Sequence, residues 1–332
     1  MNLLKSKRVL LATILAGAIV QAQPIPLRDA QAALDKKDYA TALRLLRPLA
    51  QAGDPGAQTL LGGMYALGSG VPRDVNESIN WYRKAAAQGV PEAQYQVGLA
   101  ELLGRGAPQN NAEALAWLRK SADQGHPDAQ FTVGMMYSEG RGVSKNAAEA
   151  VNWLRKSAAQ GHPEAQGELG FAYLNGEGVA RNYSEALTWL RKAADQGDPQ
   201  AQANLGAMYG NGAGVRKDLT EAVNWYRKAA AQGHPGAQSN LGIAYLNGIG
   251  IAKNQSEAAV WFRKAAEQGV PQAQANLGWL LANGSGVAKN PAEAVQWARK
   301  AAEQGIPQGQ ETLRLLAEQN FAPAQNELGL TY

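Results

Sequence analysis

The 332 residues are 45% hydrophobic and 18% charged, contain no cysteine and carry a formal net charge of +4. That composition belongs to a folded chain rather than a disordered one. The missing thiols exclude disulfides, lipid attachment through cysteine, cysteine catalysis and thiolate metal sites. Lys5, Lys7 and Arg8 supply three of the four net positive charges, so the rest of the chain stands near neutrality at +1, which argues against nucleic acid as a partner.

Those three cations open a segment with the layout of an export signal. A twelve-residue apolar run from Val9 to Val20 follows, and Val20-Gln21-Ala22 puts small residues at the cleavage positions. The run is well short of the roughly 20 residues that span a bilayer. Residues 1–22 are therefore expected to be a signal peptide, and the mature chain to be exported, periplasmic or secreted from a bacterium, with no integral membrane segment left. Residues 23–53 read as an N-terminal capping hairpin. Ala30, Ala33 and Leu34 form one short apolar stripe, and Tyr39, Ala42, Leu43 and Leu46 form a second.

From residue 54 to 305 the chain repeats itself seven times. Tryptophan stands at 81, 117, 153, 189, 225, 261 and 297, always 36 apart, and a glycine recurs at 53, 89, 125, 161, 197, 233, 269 and 305 with the same interval. A fixed period of this length signals stacked helical units, none of which buries its apolar face without neighbours. Each unit holds two helix patterns. In the first, exemplified by P-D-A-Q-F-T-V-G-M-M-Y, Pro127 starts the helix, and Ala129, Val133 and Tyr137 mark one apolar face. Gly134 lies within that helix at a cost of about 1 kcal/mol relative to alanine, so its recurrence implies close helix packing. A Gly-x-Gly pair, here Gly140 and Gly142, ends the helix.

The second helix has sharper boundaries. Asp74, Asn110, Asn146, Asn182, Asp218, Asn254 and Asn290 stand seven residues before each tryptophan, as N-caps, and glutamate follows three residues later in a capping-box arrangement. The helix passes through Trp-x-Arg-Lys and stops at Gln-Gly with proline two residues beyond. Residues 306–332 depart from this pattern: Gly309 replaces alanine, Arg314 replaces the packing glycine, and Ala324, Gln325, Leu328, Gly329 and Tyr332 restart the first-helix signature. They read as a degenerate repeat or cap.

The unit A-Q-x-x-L-G-x-x-Y-x-x-G-x-G-V-x-x-(D/N)-x-x-E-A-x-x-W-x-R-K-A-A-x-Q-G resembles the Sel-1-like repeat, a branch of the tetratricopeptide superfamily, over residues 54–305. The resemblance implies an all-α, right-handed superhelical solenoid of antiparallel helix pairs. It also implies an adaptor that holds other proteins, often in envelope regulation or secreted host interaction. A cysteine-rich branch of that family is linked to β-lactam binding, an alternative that this cysteine-free chain disfavours.

Chemistry-bearing constellations are scarce. His126, His162 and His234 occupy one repeat position, filled elsewhere by Asp, Val or Ile, and read as structural rather than as metal ligands. The Gly-x-Gly loops join helices and read as turns, not phosphate cradles. The Arg-Lys pairs fall in last turns, where cations suit the helix dipole. No catalytic residues, cofactor or metal are expected. Function is sought instead where the repeats differ. Counting at 100° per residue, the side of the first helix opposite its core carries Tyr95, Leu99, Leu102, Phe131, Met135, Phe171 and Leu174 in three successive repeats, and Trp279 later. By resemblance this side lines a concave groove, so these residues are expected to meet a protein or peptide. Beside them Glu168, Asn204, Asn240 and Asn276 form a polar row suited to gripping an extended peptide backbone. The expected function is a non-catalytic scaffold; the alternative is a periplasmic regulator that binds the sensor domain of a membrane signalling protein.

Overall fold

The computed structural model describes residues 25–329. The expected signal segment, residues 1–22, and Tyr332 lie outside the described residues. These form eighteen α-helices and no strand. In chain order they are α1 (Ile25–Asp35), α2 (Tyr39–Gln51), α3 (Pro55–Leu67), α4 (Val75–Ala87), α5 (Pro91–Leu103), α6 (Asn111–Asp123), α7 (Pro127–Glu139), α8 (Ala147–Ala159) and α9 (Pro163–Asn175), followed by α10 (Tyr183–Asp195), α11 (Pro199–Asn211), α12 (Leu219–Ala231), α13 (Pro235–Asn247), α14 (Gln255–Glu267), α15 (Pro271–Asn283), α16 (Pro291–Glu303), α17 (Pro307–Glu318) and α18 (Ala322–Glu327). From α1 to α8 and again from α10 to α17, each helix packs on the next in the chain, so that first and second helices of a pair touch and successive pairs stack within each unit. The described chain groups into two compact units. One holds the residues up to 165 with Glu177–Val179; the other holds Gln166–Gly176 and the residues from Ala180 onward.

The caps explain why the helices start where they do. Asp74, Asn110, Asn146, Asn182, Asp218, Asn254 and Asn290 each accept a hydrogen bond from the backbone N–H three residues on. The glutamate that would complete a capping box has no such task here. The N–H of each cap donates instead to a carbonyl of the preceding first helix, as Asn146 does to Tyr137 at 2.9 Å and Asp218 to Tyr209 at 3.0 Å. Glu185 and Glu293 are released to accept from the indoles of Trp189 and Trp297. At the far end of the first helices, Gly140 at φ +76° and its equivalents take the left-handed conformation that ends an α-helix. The second glycine of the pair has a further reason. A Cβ on Gly142 would lie 2.3 Å from the Asn111 carbonyl oxygen, so only glycine admits the preceding second helix there.

Packing inside each pair follows from the mid-helix glycine. A Cβ at Gly98 would fall 2.6 Å from Leu118, and one at Gly206 would fall 2.6 Å from Tyr226. The missing side chain makes room for a large apolar residue of the partner helix. Leu118, Leu190 and Phe262 are fully buried in consequence. Burying each such side chain contributes about 1.5–3 kcal/mol.

A polar ladder runs across each pair and on to the pair before it. The glutamine of each Gln-Gly stop donates its amide to the glutamine 30 residues earlier, at 2.7–2.9 Å in all seven copies. That glutamine, buried, in turn donates to a carbonyl near the end of the preceding second helix, as Gln130 does to Ala122 at 3.0 Å. A buried amide is costly unless its groups are satisfied, and the ladder satisfies donor and acceptor together. The Arg-Lys pair divides its labour. Each lysine lies 3.8–4.4 Å over the tryptophan ring of its own helix, a cation–π contact of about 0.5–1 kcal/mol at an exposed site. Arginine reaches the next pair: Arg119 donates to the Tyr137 hydroxyl, and Arg191 to that of Tyr209.

In the tail, a Cβ at Gly309 would meet the Ala298 carbonyl at 2.5 Å, so α17 approaches α16 more closely than an alanine would permit. That approach also brings α17 against α15.

Candidate functional site

The first helices of the N-terminal unit carry a connected row at their N-terminal ends. His126 caps α7 and His162 caps α9, each accepting on Nδ1 from the backbone N–H three residues on, at 3.2 Å. With Nδ1 committed as an acceptor, the proton of the neutral ring sits on Nε2. From His126 it points at Glu92 at 2.9 Å, and from His162 at Asp128 at 3.2 Å. His126 Nδ1 lies 3.9 Å from Asp128, and His162 Nδ1 lies 3.4 Å from Glu164. Carboxylate and imidazole thus alternate from Glu92 to Glu164. The Tyr95 ring stacks on His126 at 4.8 Å between centroids, and Phe131 on His162 at 4.7 Å. The His162 bond, followed by the charges of both histidines, holds the Asp128 carboxyl below the usual carboxylate range. Burial, and after it the charges of Asp128, Glu92 and Glu164, pushes the Tyr95 phenol up.

The structural reading of the histidines stands, since each is a helix cap. They are not scattered, however. The 36-residue period puts His126 and His162 on successive floors with Asp128 between them. The separation of 34 residues between Glu92 and His126 was the available signal, because it places a residue of one helix start beside the next.

The sequence-chosen surface residues divide among several settings. Tyr95, Leu99, Phe131 and Met135 are half-buried, with part of each side chain at the surface of the N-terminal unit. Leu102 is corrected: at 3% exposure it belongs to the core formed with Leu118, Val133 and Met136, because the neighbouring pair closes over the last turn of α5. In the C-terminal unit Phe171 and Trp279 are exposed at 36% and 37%, and Leu174 is half-buried against the core there. Glu168 and Asn240 are exposed, and Asn204 is half-buried. Asn276 is also corrected. It is buried because α17 leans on α15, and its side chain accepts from Gln272, which donates as well to Gln308 of α17. The amide row is not continuous surface.

One buried group went unnoticed in the sequence. Glu101 is 3% exposed and stands where the equivalent repeats carry Tyr65, Tyr137, Tyr173, Tyr209 and Tyr245. Arg83 donates to it at 3.3 Å, while its other carboxylate oxygen meets no partner among the described residues. Burial raises its pKa, and Arg83 only partly opposes that. Among the described residues no three or more metal-ligating side chains converge.

The Sel1 repeat family model matches eight consecutive segments: residues 33–54, 55–90, 91–126, 127–162, 163–198, 199–234, 235–270 and 271–306. The first of these extends the repeat into the hairpin read from the sequence as a cap. Among solved structures, a protective antigen present in uropathogenic Escherichia coli strains, displaying an SLR fold, is 38% identical with a TM-score of 0.74, over 86% of this chain and 66% of its own. A Sel1 repeat protein from Oxalobacter formigenes is 32% identical with a TM-score of 0.67, over 92% of this chain and 99% of its own. The chain thus spans 66% of the length of the Escherichia coli structure it matches. A comparison with curated proteins finds no match.

Proposed function

The chain belongs to the Sel1 repeat family, and on that premise we propose that it is an exported, non-catalytic scaffold holding a protein or extended peptide against its first-helix face. Sel1 repeat proteins typically serve as protein-interaction scaffolds and are generally non-catalytic. The observation that supports this reading most directly is the outer side of α5 and α7. There Tyr95, Leu99, Phe131 and Met135 keep part of their apolar surface in solvent beside a row of carboxylates, the mixture that marks an interaction surface. The three histidines serve as helix caps, with backbone N–H groups donating to their Nδ1 atoms. Export rests on the basic and apolar run from Lys5 to Ala22.

Photo-crosslinking tests the binding face. Benzophenone side chains placed at Phe131 and Trp279 are expected to form defined adducts in the envelope of the source cell, whereas one at exposed Arg155 on a second helix is not. Adducts from Arg155 alone would remove the face from consideration. N-terminal sequencing of the mature protein tests export, with a start at Gln23 expected and a start at Met1 excluding cleavage.

A further inference from the structure

We infer that the segment received by the N-terminal unit is cationic: a stretch of polypeptide that sets Lys or Arg side chains against Glu92, Asp128 and Glu164, and apolar side chains against Tyr95, Phe131 and Met135. This rests on the reading of the first-helix face as a binding surface and adds the chemistry of its occupant.

Charge is segregated in this unit. Helices α3, α5 and α7, and the start of α9 that belongs to the unit, contain no Lys or Arg; the second helices carry the repeating Arg-Lys pairs. Glu92, Asp128 and Glu164 each stand three residues after a stop glycine, so the period places them one floor apart. Among the described residues their close partners are His126 and His162, which cap helices through Nδ1, and Gln96, which donates to Glu92. Three carboxylates thus face two imidazoles, and no Lys or Arg of these helices joins them, so acidic groups are in excess along the row.

Helix N-termini offset the mutual repulsion of these carboxylates, but they leave the field outside the protein negative. The row also opens progressively: side-chain exposure is 21% at Glu92, 33% at Asp128 and 61% at Glu164. Aromatic and thioether surface lies alongside. Lysine and arginine match that juxtaposition, since their aliphatic stems cover apolar side chains while the charged head reaches a carboxylate, and guanidinium also stacks on aromatic rings. An acidic segment would add like charge to the row, and a purely apolar one would strip water from its carboxylates without replacing it, both costly arrangements.

The test uses the full mature chain and fluorescence anisotropy with two short synthetic peptides of one leucine pattern, one carrying lysine and the other glutamine at its polar positions. The lysine peptide is expected to bind about tenfold more tightly at low salt and to lose that advantage at high salt. The triple variant Glu92→Gln, Asp128→Asn, Glu164→Gln should bind both peptides alike. The charge-matched variant Glu113→Gln, Asp123→Asn, Glu149→Gln, altered on the second helices of the same unit, should behave as the parent. Glu164→Gln alone, at the most exposed position, keeps the test valid if the triple variant unfolds, and should remove part of the preference. Equal binding of both peptides by the parent, weakened by Phe131→Ala, would overturn the charge assignment and leave the binding face standing. Lysine-peptide binding lowered equally by both triple variants, or no binding of either peptide, would also overturn it. The crosslinking experiment reports on the face itself without these peptides, so the two failures are separable.

Discussion

The two units build one interior and two different faces. In the N-terminal unit the residue three after the stop glycine is Gly56 in the first floor and then Glu92, Asp128 and Glu164, and the residue six after it includes Tyr95 and Phe131. At the same places in the C-terminal unit stand Gln200, Gly236 and Gln272, and Ala203, Ser239 and Ala275. Helices α11, α13 and α15 contain no charged residue at all. The histidine cap makes the contrast sharpest: His126 turns its Nε2 to the carboxylate of Glu92, whereas His234 turns it to the amide of Gln200 at 3.0 Å. One backbone device thus serves a negative surface in one unit and a neutral, amide-lined one in the other. Positions that hold the stack are common to both units, and positions beside them are free to choose the ligand.

The largest expected effects test the shared interior. Leu118→Ala in the N-terminal unit and Leu205→Ala in the C-terminal unit each remove a side chain with 0% exposure. Each should cost about 3 kcal/mol in urea denaturation. A silent result for either would mean that its unit does not rely on this core.

Next comes Glu101, the one place where the N-terminal unit breaks the shared pattern inside the core. Its folded pKa is raised, so the folded state holds the proton more tightly than the unfolded state does. Its favourable contribution is full below the ordinary glutamate value of 4.5 and is lost as the pH rises through the folded value. Glu101→Tyr, restoring the Arg–Tyr hydrogen bond seen at Tyr137 and Tyr209, should gain about 1 kcal/mol at neutral pH and flatten that part of the pH profile. Unchanged stability at pH 7 would show that Arg83 already satisfies the carboxylate.

The glutamine ladder should respond alike in both units. Gln124→Ala and Gln232→Ala each leave a buried amide short of a partner, at a cost of about 1–2 kcal/mol. A twofold difference between them in thermal unfolding would mark the ladder as unequal.

The smallest effect separates the units by pH. Burial, opposed by Asp198, lowers the pKa of His234 from 6.5. Its stabilising contribution is therefore present above that value and lost as the pH falls through the folded value. In the N-terminal unit the Asp128 carboxyl is lowered from 3.8, so its contribution persists until the pH falls through that lower window. Replacing His234 with Asp, the cap found at Asp54 and Asp198, should remove less than about 1 kcal/mol of pH dependence near pH 6. Stability curves of the parent and variant that overlay between pH 5 and 7 would refute the assignment.

Helix limits were legible because local chemistry writes them: Asn110 and Asn146 as caps, Pro127 at a helix start, Gly140 in the left-handed turn. The packing glycines were legible through their cost, since Gly134 has no local reason to be there. What joins one helix to another was not. Gln124 bonds Gln94 across 30 residues and His126 bonds Glu92 across 34, and helical periodicity within one element cannot reveal a partner on another. The same blindness misplaced Leu102 and Asn276. Both lie on the side of their helix away from its own pair, and the neighbouring pair supplies the cover.

The glutamine ladder has a consequence for how such a chain changes over generations. Every rung given above ends within its own floor or on the floor before, and none of these side-chain hydrogen bonds spans more than 36 residues. A whole floor can therefore be duplicated or excised by recombination with each remaining rung finding an equivalent partner, whereas loss of a single codon inside a floor alters the interval of each rung that spans it. Inheritance of this kind copies surface together with scaffold. An acidic floor next to an amide floor then amounts to a shuffled deck of 36-residue cards, in which recognition is revised by reordering intact pieces.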